Sequence, residues 1–294
     1  MAPVRGIKKQ MALDREKFAG GVAVITGAGA GIGSGLARRA GALGMTVVVT
    51  DINGANAEKV AEEIRANGGK AEAMVVDVSK PAELDRLAEE VFARYGEVRL
   101  LVNNAGIETI GYTWEIPTER WEATLNINIH GIIHGVRAFV PKIIETGKEA
   151  WIANLASVGS FGMMPTQTAY MVTKHAIQSF NECLYLEMEL ANLPIHVCSV
   201  IPGMLKTSIF NAEAGAGEPG SAARHRKAMH DMMAAYGMDL DEGCKVILEQ
   251  VAENKFWCST QPEMTESMVA ERIEYLRTKA NPTLADQARQ ILGH

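Results

Sequence analysis

Val22-Ala23-Val24-Ile25-Thr26-Gly27-Ala28-Gly29-Ala30-Gly31-Ile32-Gly33 carries the strongest sign of how this chain folds. A continuous apolar run enters a turn with glycine at every second position, and a helical pattern begins at once. An apolar run without alternation suits a parallel strand covered on both faces by helices. Glycine lets the turn bend tightly and approach a ligand closely, and it leaves the first helical N–H groups free for anionic oxygens. Alone, such a run reads as an ordinary turn; its place after a first strand and before a helix gives it meaning.

Outward from this stretch the pattern repeats. Thr46–Thr50, Ala73–Val76, Leu100–Val102, Trp151–Leu155, Ile195–Ile201 and Phe256–Cys258 are further strand candidates, about seven in all. Between them Ile32–Leu43, Ala55–Asn67, Pro81–Tyr95 and Pro117–Ile144 have helical length and apolar spacing. This βαβ alternation predicts an α/β protein with a doubly wound parallel sheet in a single domain. The expected divisions are an N-terminal arm over residues 1–17, the sheet domain over 18–261 and a C-terminal helical extension over 262–294. The alternation breaks across residues 203–243, where Gly215, Gly217, Pro219 and Gly220 precede Met229, Met232, Met233 and Met238. A flexible turn feeding a Met-rich helix is expected there, a candidate lid over a site.

Composition narrows the function. With 294 residues, 47% hydrophobic and 22% charged, the chain has ample material for a core, which excludes disorder. Its net charge of −6 argues against nucleic acid as a partner, since no broad basic footprint exists. Backbone-held anions remain compatible with that charge. Cys183, Cys198, Cys244 and Cys258 form no C-x-x-C pair, so reduced, buried thiols are expected. His130, His134, His175 and His196 show no metal constellation, and surface or packing roles are expected for them. Arg5, Lys8 and Lys9 precede no apolar signal region, and no run reaches the roughly 18 apolar residues of a membrane helix. A cytoplasmic chain with no membrane partner is expected.

Two local patterns carry chemistry. Asp51 stands 18 residues beyond Gly33, near the spacing of a carboxylate that accepts hydrogen bonds from a dinucleotide's adenosine ribose. Tyr170 and Lys174 are one helical turn apart and share a face if the segment is helical. An ammonium there favours phenolate, which makes the pair a candidate for proton transfer. Such pairs occur on many solvated helices. This one follows Ser157 by 13 residues, and Ser157 itself follows a strand candidate. A serine so placed can donate a hydrogen bond to a reacting oxygen and orient it.

Taken together, the T-G-x-x-x-G-x-G spacing from Thr26 to Gly33, Asn103-Asn104-Ala105-Gly106, the Ser157 to Tyr170 interval and Tyr170-x-x-x-Lys174 resemble the single-domain branch of the short-chain dehydrogenase/reductase family. The ordered motifs extend from about Val22 to Thr207. The resemblance implies a Rossmann-type sheet and an NAD-dependent oxidoreductase that interconverts a secondary alcohol and a ketone. It implies Asn128, Ser157, Tyr170 and Lys174 as catalytic residues, Asn128 lying in a helix irregularity and holding a water that links the lysine to solvent, with Asn126 read as an ordinary helix or interface residue. The implied cofactor residues are Gly27, Gly31, Ile32, Gly33 and Asp51, then Asp77 and Val78 beside adenine. Asn104, Ala105 and Gly106 would form a wall, whereas turn stabilisation is an equal reading for Asn103. Tyr170 and Lys174 also belong to this set, as do Pro202, Gly203 and Thr207 in a P-G-x-x-x-T pattern. Ala30 and Ile52 occupy places where relatives that prefer the phosphorylated cofactor carry basic residues, so NAD(H) is expected over NADP(H). A substrate wall of Val158, Phe161, Met163, Met164, Met204 and Phe210 suggests a bulky hydrophobic or aromatic small molecule. The resemblance also implies a homotetramer or homodimer. Two alternatives stay open: an NADH-dependent carbonyl reductase working in the other direction, and a non-enzymatic dinucleotide-sensing protein.

Overall fold

A computed structural model describes residues 13–210, 219 and 222–292. Its strands are β1 Val22–Thr26, β2 Thr46–Asp51, β3 Lys70–Val75, β4 Leu100–Asn103, β5 Ala150–Leu155, β6 Ile195–Ile201 and β7 Trp257–Ser259. All adjacent pairs run parallel, in the spatial order β3-β2-β1-β4-β5-β6-β7. The helices are α1 Gly31–Ala42, α2 Gly54–Ala66, α3 Pro81–Tyr95, α4 Thr118–Leu125, α5 Gly131–Thr146 and α6 Thr168–Leu190. They continue with α7 Ala222–Tyr236, α8 Leu240–Ala252, α9 Pro262–Thr278 and α10 Asp286–Leu292. The expected doubly wound, single-domain α/β sheet is what the chain forms.

The continuous apolar runs follow from burial on both faces. Every residue of β1 is buried. Ala23 and Ile25 face a cluster with Leu36 and Ala40 of α1 and Ile247 and Leu248 of α8. Val22 and Val24 face the opposite cluster, with Leu84 and Leu87 of α3, Phe139 of α5 and Leu184 of α6. The two-residue period of a strand divides these side chains between the layers. Each fully buried aliphatic contributes about 1.5–3 kcal/mol. Strand order reverses between β1 and β4, which leaves a crevice at their C-terminal ends.

Several boundaries differ from expectation. Strand β3 begins at Lys70 rather than Ala73, because an edge strand with partly exposed residues accommodates Lys70 and Glu72. Strand β7 lies one residue later than expected. The single helix expected over Pro117–Ile144 is two, joined by a π-helical turn at Asn126–His130. Residues 13–18 are helical, so the arm expected through Lys17 gives way to packed structure by residue 13. Asp14 is buried there against Arg39 at 2.6 Å, and Phe18 meets the edge of Trp151. Residues 1–12 lie outside the described residues. Cys183 is exposed on α6, contrary to the buried role expected, while the other three cysteines are buried. The Met-rich helix is α7; Gly215, Gly217 and Gly220 lie outside the described residues. Among the described residues no helix is long and apolar enough to cross a membrane.

Candidate active site

The turn after β1 is built on two glycines in the left-handed region, Gly27 at φ +61° and Gly31 at φ +52°. A Cβ on Gly27 would stand 2.7 Å from Ala105 Cα, and one on Gly33 would run into the Gly27 carbonyl and the Asn104 amide. The end of β4 is stitched to this turn. Asn104 Nδ2 donates to the Thr26 carbonyl at 2.8 Å and the Gly27 carbonyl at 3.1 Å, and Thr26 Oγ1 accepts from the Asn104 and Ala105 N–H groups. The N-cap of α1 is Ala30, which supplies no side-chain cap. Its first-turn N–H groups and the positive end of the helix dipole are therefore left for another acceptor.

A cleft of about 340 Å³ lies along the C-terminal edge of the sheet, within the size range of small-molecule sites. Gly27, Gly31, Ile32, Asp51, Asp77, Val78, Asn104, Ala105 and Gly106 line one part, and Tyr170, Lys174, Pro202 and Thr207 line the other. Asp51 sits over the glycine turn, its Oδ2 accepting from Gly29 N–H and its Oδ1 from Asn53 N–H, both at 2.9 Å. Asp77 turns back on Ser79, accepting from its N–H at 3.0 Å and its hydroxyl at 2.6 Å.

Tyr170 and Lys174 occupy the first two turns of α6. Lys174 Nζ donates to the Leu155 carbonyl at 2.7 Å and lies 5.5 Å from the Tyr170 ring centroid. Burial lowers the Lys174 pKa to about 8, against the opposing pull of the Glu108 charge. The Tyr170 phenol is pushed well above its ordinary range, first by burial and then by Glu108, while a hydrogen bond with Ser157 works the other way. Ser157 follows β5 and its Oγ accepts from Gly159 N–H at 3.0 Å, capping the short 3-10 turn Val158–Ser160.

Asn128 sits buried in the π turn. Its Oδ1 accepts from Ile107 N–H at 2.8 Å, and its Nδ2 donates to the Ile107 carbonyl at 2.9 Å and to Thr173 Oγ1 at 3.1 Å. The loop after β4 is thereby tied to the helix that carries Tyr170. Asn126 bonds His130 in an exposed position. Asn103 donates to Asn154, which donates to Asn181, which donates to Ser199, a buried polar chain under the sheet ends. Asn103 is not among the cleft-lining residues.

Some expected site residues lie elsewhere. Gly33 packs beneath the turn rather than lining the cleft, and Gly203 donates its N–H to Thr260 Oγ1 at 3.0 Å. None of the six residues expected as a substrate wall lines this cleft. Phe161 stacks on Trp257 at 5.3 Å, Val158 packs on the cluster of Ile132, Ala156, Ile177 and Ile201, and Met163 is exposed. Met204 donates its N–H to Gln261 at 2.7 Å, and Phe210 is buried with Ile110, Ala222 and Met233. Met164 is half-buried in the loop before α6. Of these side chains, Val158, Phe161 and Phe210 are engaged in packing, whereas Met163 is exposed.

The structure adds residues that sequence reading missed. Ile107, Ile127, Leu155, Ser208 and Ile209 line the cleft. Glu108 is buried beside the Tyr170 and Lys174 pair, accepting from Gln167 Nε2 at 3.2 Å. Its only advance signal is adjacency to the Asn103–Gly106 motif. Among the described residues no group of His, Cys, Asp or Glu side chains is placed to hold a metal.

A crevice at the switch point of a parallel sheet, a glycine-built anion cradle and a Tyr-Lys pair define a class of nucleotide-binding oxidoreductase. The short chain dehydrogenase family model matches residues 21–216, and the chain belongs to that family. Probable oxidoreductase EphD of Mycobacterium tuberculosis is 32% identical over 239 residues, 79% of this chain and 40% of that protein. The chain thus spans two fifths of the length of that relative. Cyclohexanol dehydrogenase of an Acinetobacter species is 34% identical over 66% of this chain and 76% of its own length. A short chain dehydrogenase/reductase of Burkholderia phymatum, solved in complex with NAD, superposes with a TM-score of 0.86 at 29% identity, covering 92% of this chain and 98% of that one.

Proposed function

We propose that the chain interconverts a secondary alcohol and a ketone with NAD(H), using Tyr170 as general acid and base. The observation that carries the reading is that Tyr170 and buried Lys174 line the cleft together with the glycine turn, with Ser157 hydrogen-bonded to Tyr170. The residues present fit a dinucleotide. Gly27 and Gly31 leave room that a Cβ or a right-handed backbone would take, the uncapped start of α1 suits a pyrophosphate, and Asp51 suits ribose hydroxyls. Pro202, Gly203 and Thr207 are assigned to the nicotinamide end, and Asp77 and Val78 to the adenine end. Bound there, the nicotinamide would accept or supply the hydride.

In alcohol oxidation, Tyr170 Oη takes the hydroxyl proton while Ser157 Oγ donates a hydrogen bond to the same oxygen. Lys174 holds positive charge beside the phenol and favours phenolate, the form that burial opposes. Asn128 fixes the loop that faces this centre. The carboxylate of Asp51 and the absence of basic side chains at Ala30 and Ile52 favour NAD(H) over NADP(H). The named activity of the Acinetobacter relative supports an alcohol substrate. Within the 203–243 segment, the described helix α7 is assigned to closure over the substrate, and a homo-oligomer belongs to the same reading.

Tyr170→Phe is expected to lower kcat by about 10²–10⁴-fold, while NADH binding, followed by fluorescence titration, is retained. The assay uses secondary alcohols and ketones with both NAD(H) and NADP(H). Equal turnover by the purified variant would remove the assignment.

A further inference from the structure

One buried acid beside the Tyr170 and Lys174 pair has no assigned work. Ile107 lines the cleft and Ile110 packs with Met233 beneath α7; Glu108 lies between them and is 6% exposed. Its partner Gln167 is also buried and sits at the start of α6, three residues before Tyr170. The acid therefore stands where the reacting phenol meets the candidate lid. The two bonds between the Asn128 side chain and the Ile107 backbone hold the loop in that position.

Packing does not account for a carboxyl here. Burial pushes its pKa up to about 8, and the Gln167 amide, the Lys174 and Arg226 charges and the Thr109 N–H pull only partly the other way. An apolar residue of similar size would cost less in such a place. Backbone strain marks the same corner. Thr166 holds φ +65°, an unfavourable conformation for a β-branched residue. Its carbonyl accepts from Gly111 N–H at 2.8 Å, and its hydroxyl meets His225 Nδ1 of α7 at 2.5 Å. Costly polar burial and strain kept together, one residue beyond cleft-lining Ile107 and close enough to Tyr170 and Lys174 to act on both electrostatically, point to a ligand.

Resting on the dehydrogenase reading above, we propose that Glu108 and Gln167 form a second polar anchor, so that the substrate carries another hydroxyl besides the one oxidised. A hydroxyl suits the pair because it donates as well as accepts. The substrate class is then a diol, or a hydroxyketone in the reverse direction, rather than a purely apolar alcohol.

The test measures NAD-dependent oxidation of cyclohexanol, cyclohexane-1,2-diol and cyclohexane-1,3-diol by the wild type, Glu108→Leu and Glu108→Gln. For the wild type, kcat/KM for the better diol is expected to exceed that for cyclohexanol by at least about tenfold. Glu108→Leu brings the ratio close to one. Glu108→Gln keeps the shape, guards against a misfolded leucine variant and lowers the ratio less. Equal use of cyclohexanol and both diols by the wild type, or an unchanged ratio in a folded variant, overturns the anchor and leaves the dehydrogenase reading standing. Turnover of none of the three, with ketones also unreduced, removes that reading and the anchor with it.

Discussion

At the scale of single residues, burial drives Glu108 and Lys174 towards the same point, the carboxyl up to about 8 and the ammonium down to about 8. An unfolded glutamate titrates near ~4.3. Between that value and about 8 the folded chain keeps a proton the unfolded chain has lost, so stability from Glu108 is complete at low pH and is lost as pH rises through the window. Lys174 works in the next window, from about 8 towards its unfolded value, where the unfolded chain holds the extra proton and stability recovers with rising pH. Glu108→Gln has no such titration. Its Tm is expected to gain on the wild type by a few degrees between about pH 5 and pH 8, read by thermal unfolding at both values. A constant difference would exclude the raised carboxyl. Tyr170, Lys174 and Ser157 were legible in the sequence because their relation is local, set by one helical turn and one strand-to-helix step. Glu108 was not, because the partner that defines it is 59 residues away and neither belongs to a repeating pattern.

At the scale of elements, the π turn between α4 and α5 does what a straight helix could not. It places Asn128 so that one side chain satisfies both backbone groups of Ile107 and still reaches Thr173. Asn128→Ala leaves these groups without their partner and is expected to cost about 1–3 kcal/mol in denaturant unfolding. It should also accelerate hydrogen exchange at the Ile107 amide, and unchanged exchange would show that the loop is held by something else. Apolar periodicity did not reveal the turn, since a π insertion uses the same residues as the helix around it and adds only one to the count. The strands were legible for the opposite reason. In β1, β4 and β5 every residue is buried, so burial is written into each position, whereas β3 at the sheet edge keeps Lys70 exposed and hides its true start.

At the scale of the whole molecule, the sheet is covered within the chain, yet α6 leaves Val172, Leu186 and Leu190 exposed, the last at 89%. Leu186 and Leu190 are one turn apart and form an apolar strip. A dimer or tetramer in light scattering is the expected outcome, with the combined Leu186→Glu and Leu190→Glu variant shifted to a smaller species; a monomeric wild type would contradict it. The doubly wound order β3-β2-β1-β4-β5-β6-β7 also divides the chain's connections into two kinds. Turns at the C-terminal rim supply the cleft, from Gly27 to Ile209. Turns at the other rim, around Gly68, Gly96 and Gly147, supply none of its lining and have open space where a side chain would stand. Covalent continuity thus has unequal worth at the two rims: the chain can be cut, rejoined or lengthened at one without reshaping the cleft, while at the other each turn is also a wall.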